Sequence, residues 1–148
     1  MDQMKKEIGL AVVGCGTIGR IRAVLAKQYP GVGWIGLCDI KEDLGKKLTE
    51  DVGGDFFTTD YNELINRPEV NATIIATDEN QHFDPIMAAI ERGHNLFIEK
   101  PLATEANESL EIFNAIETAG LDAVVGYTQR FRRRFLAVKE RLVTGQIG

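Results

Sequence analysis

Three groups of residues in this 148-residue chain have the types and spacing needed for chemistry. The first is Gly14-Cys15-Gly16-Thr17-Ile18-Gly19, a G-x-G-x-x-G run directly after an apolar stretch and opening an amphipathic one. Gly14 permits a tight turn, Gly16 lets the backbone approach a pyrophosphate, and Gly19 lets a helix pack closely on its strand. A helix starting there offers free N–H groups and partial positive charge to an anion. A glycine run alone is a weak signal, but the flanking strand and helix patterns supply the context it needs.

The second group is Asp39, which ends the next apolar run about 20 residues after the glycine turn. A carboxylate there can accept hydrogen bonds from both hydroxyls of an adenosine ribose and would repel a 2′-phosphate. NAD is therefore favoured over NADP, with Lys41 nearby as a counterweight. An aspartate in this place also suits a plain strand end or a helix cap. The third group is Glu99-Lys100-Pro101, at the end of another apolar run. In an open parallel sheet that edge is where ligands bind. By itself a strand-end Glu-Lys reads as a surface ion pair, but Pro101 restricts Lys100 to extended geometry and so fixes its direction.

The elements that must position these groups follow from periodicity. Short, nearly continuous apolar runs predict strands buried on both faces at 8–13, 33–38, 55–57, 72–76, 95–98 and 123–126. Helices are predicted at 17–28, with Ile18, Ile21, Arg22 and Leu25 at helical spacing, and at 40–51, 61–66, 85–92 and 104–119. Thr104 is a candidate N-cap for the last of these. The alternation implies an α/β fold with a doubly wound parallel sheet of about six strands, joined by right-handed crossovers. Beyond it, Phe131, Phe135, Val138 and Leu142 form the apolar stripe of a further amphipathic helix. Residues 1–127 read as one nucleotide-binding domain. Residues 128–148 read as a linker and helix leading into an absent substrate and oligomerisation domain. Lacking that domain, the stripe is expected either to fold back or to drive self-association.

Composition narrows the function classes. A hydrophobic fraction of 44%, a charged fraction of 26% and a net charge of −5 describe an ordinary globular domain without the basic excess of a nucleic-acid binder. The cluster Arg130, Arg132, Arg133 and Arg134 reads as a solvated helix face. No apolar stretch approaches the roughly 20 residues needed to span a bilayer, and the polar start, residues 1–7, lacks a signal-peptide core. A cytoplasmic protein fits, with no nucleic-acid or membrane partner. Two cysteines and two histidines make no metal set. Cys15 and Cys38 read as apolar filler at adjacent strand ends, although the helix start beside Cys15 could lower its pKa and leave it alkylatable.

The sequence resembles the glucose–fructose oxidoreductase and inositol dehydrogenase family, Gfo/Idh/MocA. The resemblance runs through the glycine loop, Ala76-Thr77 with His82 five positions after the threonine, and Ala88-Ala89 before Gly93-His94. It continues through Glu99-Lys100-Pro101-Leu102, Gly126-Tyr127 with Arg130-Phe131, and Gly145-Gln146-Ile147-Gly148. It implies a Rossmann fold and a nicotinamide-dependent dehydrogenase or reductase of sugars, cyclitols or similar polyhydroxy compounds, homo-oligomeric at full length. It also implies that Lys100 lies beside the nicotinamide and the substrate's reacting oxygen as a catalytic residue. His82 would then be a cofactor-side histidine, and Thr77 would sit in the loop facing the cofactor. The main acid/base histidine would belong to a second domain, so this chain is expected to bind cofactor without turnover. Asp78-Glu79 stand where the family has Pro-Asn, and Arg132-Arg133 where it has Asp or Asn and then Pro.

The candidate cofactor-binding set is thus Gly14, Cys15, Gly16, Thr17, Ile18, Gly19, Asp39, Ile40, Thr77, His82, Glu99 and Lys100, with Lys100 also catalytic and no metal ligand. Two rivals stand beside it: a non-catalytic NAD(H)-sensing regulator and an S-adenosylmethionine-binding methyltransferase domain.

Overall fold

The computed structural model describes residues 7–147; residues 1–6 of the polar start and Gly148 of the closing motif lie outside them. Six strands, β1 (Ile8–Val13), β2 (Val32–Cys38), β3 (Phe56–Thr58), β4 (Ala72–Ile75), β5 (Asn95–Ile98) and β6 (Ala123–Val125), form one sheet in the order β3-β2-β1-β4-β5-β6. Every pairing is parallel. Between them run α1 (Thr17–Lys27), α2 (Glu42–Val52), α3 (Tyr61–Ile65), α4 (Phe83–Glu91) and α5 (Ala106–Ala119), followed by α6 (Arg133–Val143). The chain leaves β1 for β2 and β3 on one side and returns to β4 on the other. The carboxyl ends of β1 and β4 therefore border a topological switch point.

Apolar runs become strands here because both sheet faces are covered. Leu10 and Val12 point into a cluster with Ala23, Ile35, Leu37 and Leu48, on the α1 and α2 side. Ala11 and Val13 point the other way, into a cluster with Leu64, Ile75, Ile86, Ile98 and Ile112 beneath α3, α4 and α5. Alternate residues of β1 thus feed two cores, and β1 itself carries no polar side chain.

Two local expectations are corrected, the cap of α5 and the place of Phe131, and the fold adds two facts about α1 and α6. The face of α1 turned to the sheet is the small-residue face, with Gly19 and Ala23 buried. Ile18, Ile21 and Leu25 are exposed. Close approach decides this, because a Cβ at Gly19 would overlap the Gly14 carbonyl. Helix α5 is capped by Glu105 rather than Thr104, with no side-chain cap bond. A short 3-10 helix, Thr128–Phe131, takes Phe131 out of α6. The α6 stripe has not folded back: every residue from 127 to 147 is exposed.

One buried polar pair sits in this frame. His94, ahead of β5, is buried, with Nδ1 3.0 Å from the Thr73 hydroxyl on β4. Burial, aided by Arg92, pulls its pKa below the ordinary histidine value. The unfolded chain therefore takes up a proton first as pH falls, so stability is complete above about pH 6.5 and declines below it. Urea unfolding between pH 5 and 8 should show this decline, with a slope from His94 of at most about 1.4 kcal/mol per pH unit. His94→Asn should flatten it. An unchanged slope in the variant would remove His94 as its source.

Candidate cofactor site

The glycine loop carries out the geometry its residue types require. Gly14 has φ +95°, and a side chain there would strike the Ala76 carbonyl at the end of β4. Gly16 is the N-cap of α1, makes no side-chain cap bond, and has open space where a Cβ would stand. No acidic side chain occupies the first turn. The N–H groups of Thr17, Ile18 and Gly19 thus begin a helix with no side-chain acceptor over it, an arrangement suited to a pyrophosphate.

Asp39 closes the loop from the side. One carboxylate oxygen accepts from the Cys15 N–H at 2.7 Å and the other from the Lys41 N–H at 2.8 Å. Each oxygen keeps a further lone pair for a hydroxyl outside. The loop and the ribose-binding candidate are thereby one hydrogen-bonded unit, joined across 24 positions of sequence. Beside them lies a cleft of about 420 Å³, lined by Gly14, Gly16, Asp39, Ile40, Lys41, Leu44, Tyr61, Thr77, Asp78 and Asp84 among others. That volume suits a small-molecule site. Ile40, Leu44 and Tyr61 supply apolar walls for a flat base. Leu44, Tyr61 and Asp84 escaped the sequence reading, since an isolated residue in the first turn of a helix carries no motif. Asp78 lines the cleft, whereas Glu79 begins a 3-10 helix.

Lys100 lies outside that cleft, at the end of β5, two strands away from β1 in the sheet order. It is exposed, while Glu99 before it is buried. Arg22 Nε, on α1, donates to one Glu99 oxygen at 2.6 Å, and a terminal nitrogen of the same guanidinium lies 2.6 Å from that oxygen. On the other side of the lysine, His82 Nδ1 donates to the Pro101 carbonyl at 2.8 Å, and its Nε2 lies 3.3 Å from the Thr77 carbonyl. His82 is fully buried, so it ties the loop after β4 to the lysine turn and presents no ring edge to solvent. Thr77 itself donates to the Gln81 carbonyl at 3.3 Å. Of the twelve candidates, then, Gly14, Gly16, Asp39, Ile40 and Thr77 share the cleft. Thr17, Ile18 and Gly19 form the helix start, and His82, Glu99 and Lys100 build a second station on the same sheet edge. Among the described residues no cluster of three or more His, Cys, Asp or Glu could hold a metal ion. No described helix is long and apolar enough to cross a membrane.

Cys15 belongs to the loop through its backbone. Its thiol is buried and lies 3.5 Å from the Cys38 carbonyl. Burial, with Asp39 adding negative charge, pushes the Cys15 and Cys38 thiols up to about 12. This corrects the expectation of an alkylatable Cys15: desolvation outweighs the helix start, and almost no thiolate forms at neutral pH. Iodoacetamide at about pH 8 should label both cysteines more than about a hundredfold slower in the native chain than in denaturing urea. Equal rates would show that the loop does not bury them.

The chain's similarities agree with this geometry. Residues 8–127 match the Gfo/Idh/MocA family, described as an oxidoreductase family with an NAD-binding Rossmann fold. The chain is 29% identical over 146 residues to scyllo-inositol 2-dehydrogenase (NAD(+)) of Bacillus subtilis (strain 168), covering 98% of this chain and 43% of that protein. It is 32% identical over 145 residues to inositol 2-dehydrogenase of Gluconacetobacter diazotrophicus, covering 95% and 43%. A crystal structure of scyllo-inositol dehydrogenase from Lactobacillus casei, with bound NAD(H) and scyllo-inositol, superposes with a TM-score of 0.90 at 21% identity, covering 97% of this chain and 43% of that one. The chain thus spans less than half the length of these relatives. The match leaves no place for the methyltransferase reading. With the uncapped glycine loop, Asp39 and the lysine turn on one sheet edge, this chain belongs to the Gfo/Idh/MocA oxidoreductase family and is an NAD-binding Rossmann domain of it.

Proposed function

We propose that the cofactor lies along the carboxyl edge of the sheet, its adenosine in the Asp39 cleft, its pyrophosphate on the start of α1 and its nicotinamide half beside Lys100. The observation carrying this reading is that Lys100 has no ion-pair partner among the described residues, while Arg22 and His82 take up its neighbours' polar groups. The fit rests on the donors present. The open space at Gly16 admits a phosphate, and the Asp39 carboxylate suits a ribose diol but repels a 2′-phosphate.

In this proposal the whole protein is a dehydrogenase or reductase of a sugar, cyclitol or similar polyhydroxy compound, as the names of its relatives suggest. When bound, NAD supplies the hydride acceptor or donor. Lys100 holds its ammonium at the reacting oxygen, where its positive charge stabilises developing negative charge and Nζ can pass a proton. Neither histidine suits the acid/base role: His82 is buried with Nδ1 donating to the Pro101 carbonyl, and His94 is buried against Thr73. That role falls to a second domain, which residues 128–148 lead towards with the exposed stripe Phe135, Val138 and Leu142. A cytoplasmic homo-oligomer without nucleic-acid or membrane partners completes the proposal.

Calorimetric titration of this chain should show NADH binding, with NADPH at least about tenfold weaker. Asp39→Ala should weaken NADH about tenfold and remove most of the preference against NADPH. The parent protein should oxidise one or more of a panel of inositols and sugars with NAD. No binding of either cofactor at millimolar concentration by the folded chain would sink the proposal.

A further inference from the structure

The ion pair between Arg22 and Glu99 joins two parts of the site 77 positions apart, and neither partner touches the cleft. We infer that Arg22 is a positioning residue for Lys100, acting through Glu99. This inference rests on the proposed place of Lys100 beside the nicotinamide. Arg22 sits one turn past Gly19, in the helix whose start receives the pyrophosphate, and Glu99 immediately precedes the lysine.

Several observations converge on this assignment. The pair is largely desolvated, with 21% of the Arg22 side chain and 12% of the Glu99 side chain exposed. The guanidinium uses two nitrogens on one carboxylate oxygen, a grip that a single-point cation cannot reproduce. Its plane is further fixed over the Phe97 ring, with Cζ 4.8 Å from the centroid. The second Glu99 oxygen faces Gly126, where an added Cβ would come within 2.9 Å. The carboxylate is thus boxed by Arg22, Phe97 and Gly126. Without Arg22, Glu99 would be a buried and unpaired anion beside Lys100, and it would have to turn outward or draw the ammonium to itself. Either response moves Lys100 from its station. Arg22 therefore keeps the lysine's charge available, while His82 holds the far side of the same turn.

The test reads the preference of this chain for NADH over NAD⁺, because an ammonium beside the ring disfavours the cationic nicotinamide. ADP-ribose, which lacks the nicotinamide, reports the adenosine and pyrophosphate stations alone. Lys100→Met should lower the ratio Kd(NAD⁺)/Kd(NADH) by about threefold or more, and Arg22→Gln should lower it similarly. The double variant should lose no more than Lys100→Met, with ADP-ribose affinity unchanged within about twofold throughout. If Arg22→Gln does not fold, Arg22→Lys decides, since it keeps the charge but loses the two-point grip: a smaller drop in the ratio supports the inference and an unchanged ratio overturns it. A drop in Lys100→Met alone also overturns it, as does a further drop in the double variant or an equal weakening of all three ligands. An unchanged ratio in Lys100→Met removes the placement of Lys100 itself, and this inference with it.

Discussion

The site depends on one steric constraint, the approach of α1 to the end of β1. Because a side chain at Gly19 would overlap the Gly14 carbonyl, only glycine lets the helix begin so close to the strand. That closeness aims the uncapped first turn of α1 at the open sheet edge. It also sets Ala23 against the sheet and brings Arg22 within reach of Glu99. A bulkier residue at 19 would push α1 outward. The anion site would open, and the Arg22–Glu99 pair would be exposed to separation, where breaking a buried pair typically costs roughly 3–5 kcal/mol.

From this constraint the sheet edge acquires two stations. The first joins the glycine loop to β2, through the Asp39 carboxylate on the Cys15 N–H, so that the proposed ribose and pyrophosphate sites are mechanically one. The second joins α1, the loop after β4 and the end of β5, through Arg22 with Glu99 and His82 with Pro101. Charged-group burial is concentrated at the second station, and such burial is tolerated only where each group has its partner. Lys100 is left exposed between these two anchors.

Much of this was legible in the sequence, for identifiable reasons. Strands buried on both faces leave continuous apolar runs, and β1 and β5 fall within the bounds that those runs predict. The glycine loop and Asp39 are close in sequence, so spacing alone relates them. The long-range contacts were not legible. Arg22 reads only as one of four residues at helical spacing with Ile18, Ile21 and Leu25, and only the fold shows that those three face outward while Arg22 turns towards Glu99. The family resemblance implies a cofactor-side His82, and the fold shows it buried with Nδ1 on the Pro101 carbonyl. Thr104 has the residue type of a cap, but the chain enters α5 one residue later. Cys15 has the position of an activated thiol, yet desolvation overrides it.

The central claim is that one bound dinucleotide spans both stations, with its adenosine at Asp39 and its nicotinamide at Lys100. Intermolecular nuclear Overhauser effects between NADH and the isotope-labelled chain test this most directly. The account predicts contacts from the adenosine ribose protons to Ile40 and Leu44, and from the nicotinamide ring protons to the Lys100 side chain, in the same complex. Nicotinamide contacts that avoid the Lys100 turn, with the adenosine seated at Asp39, would contradict it.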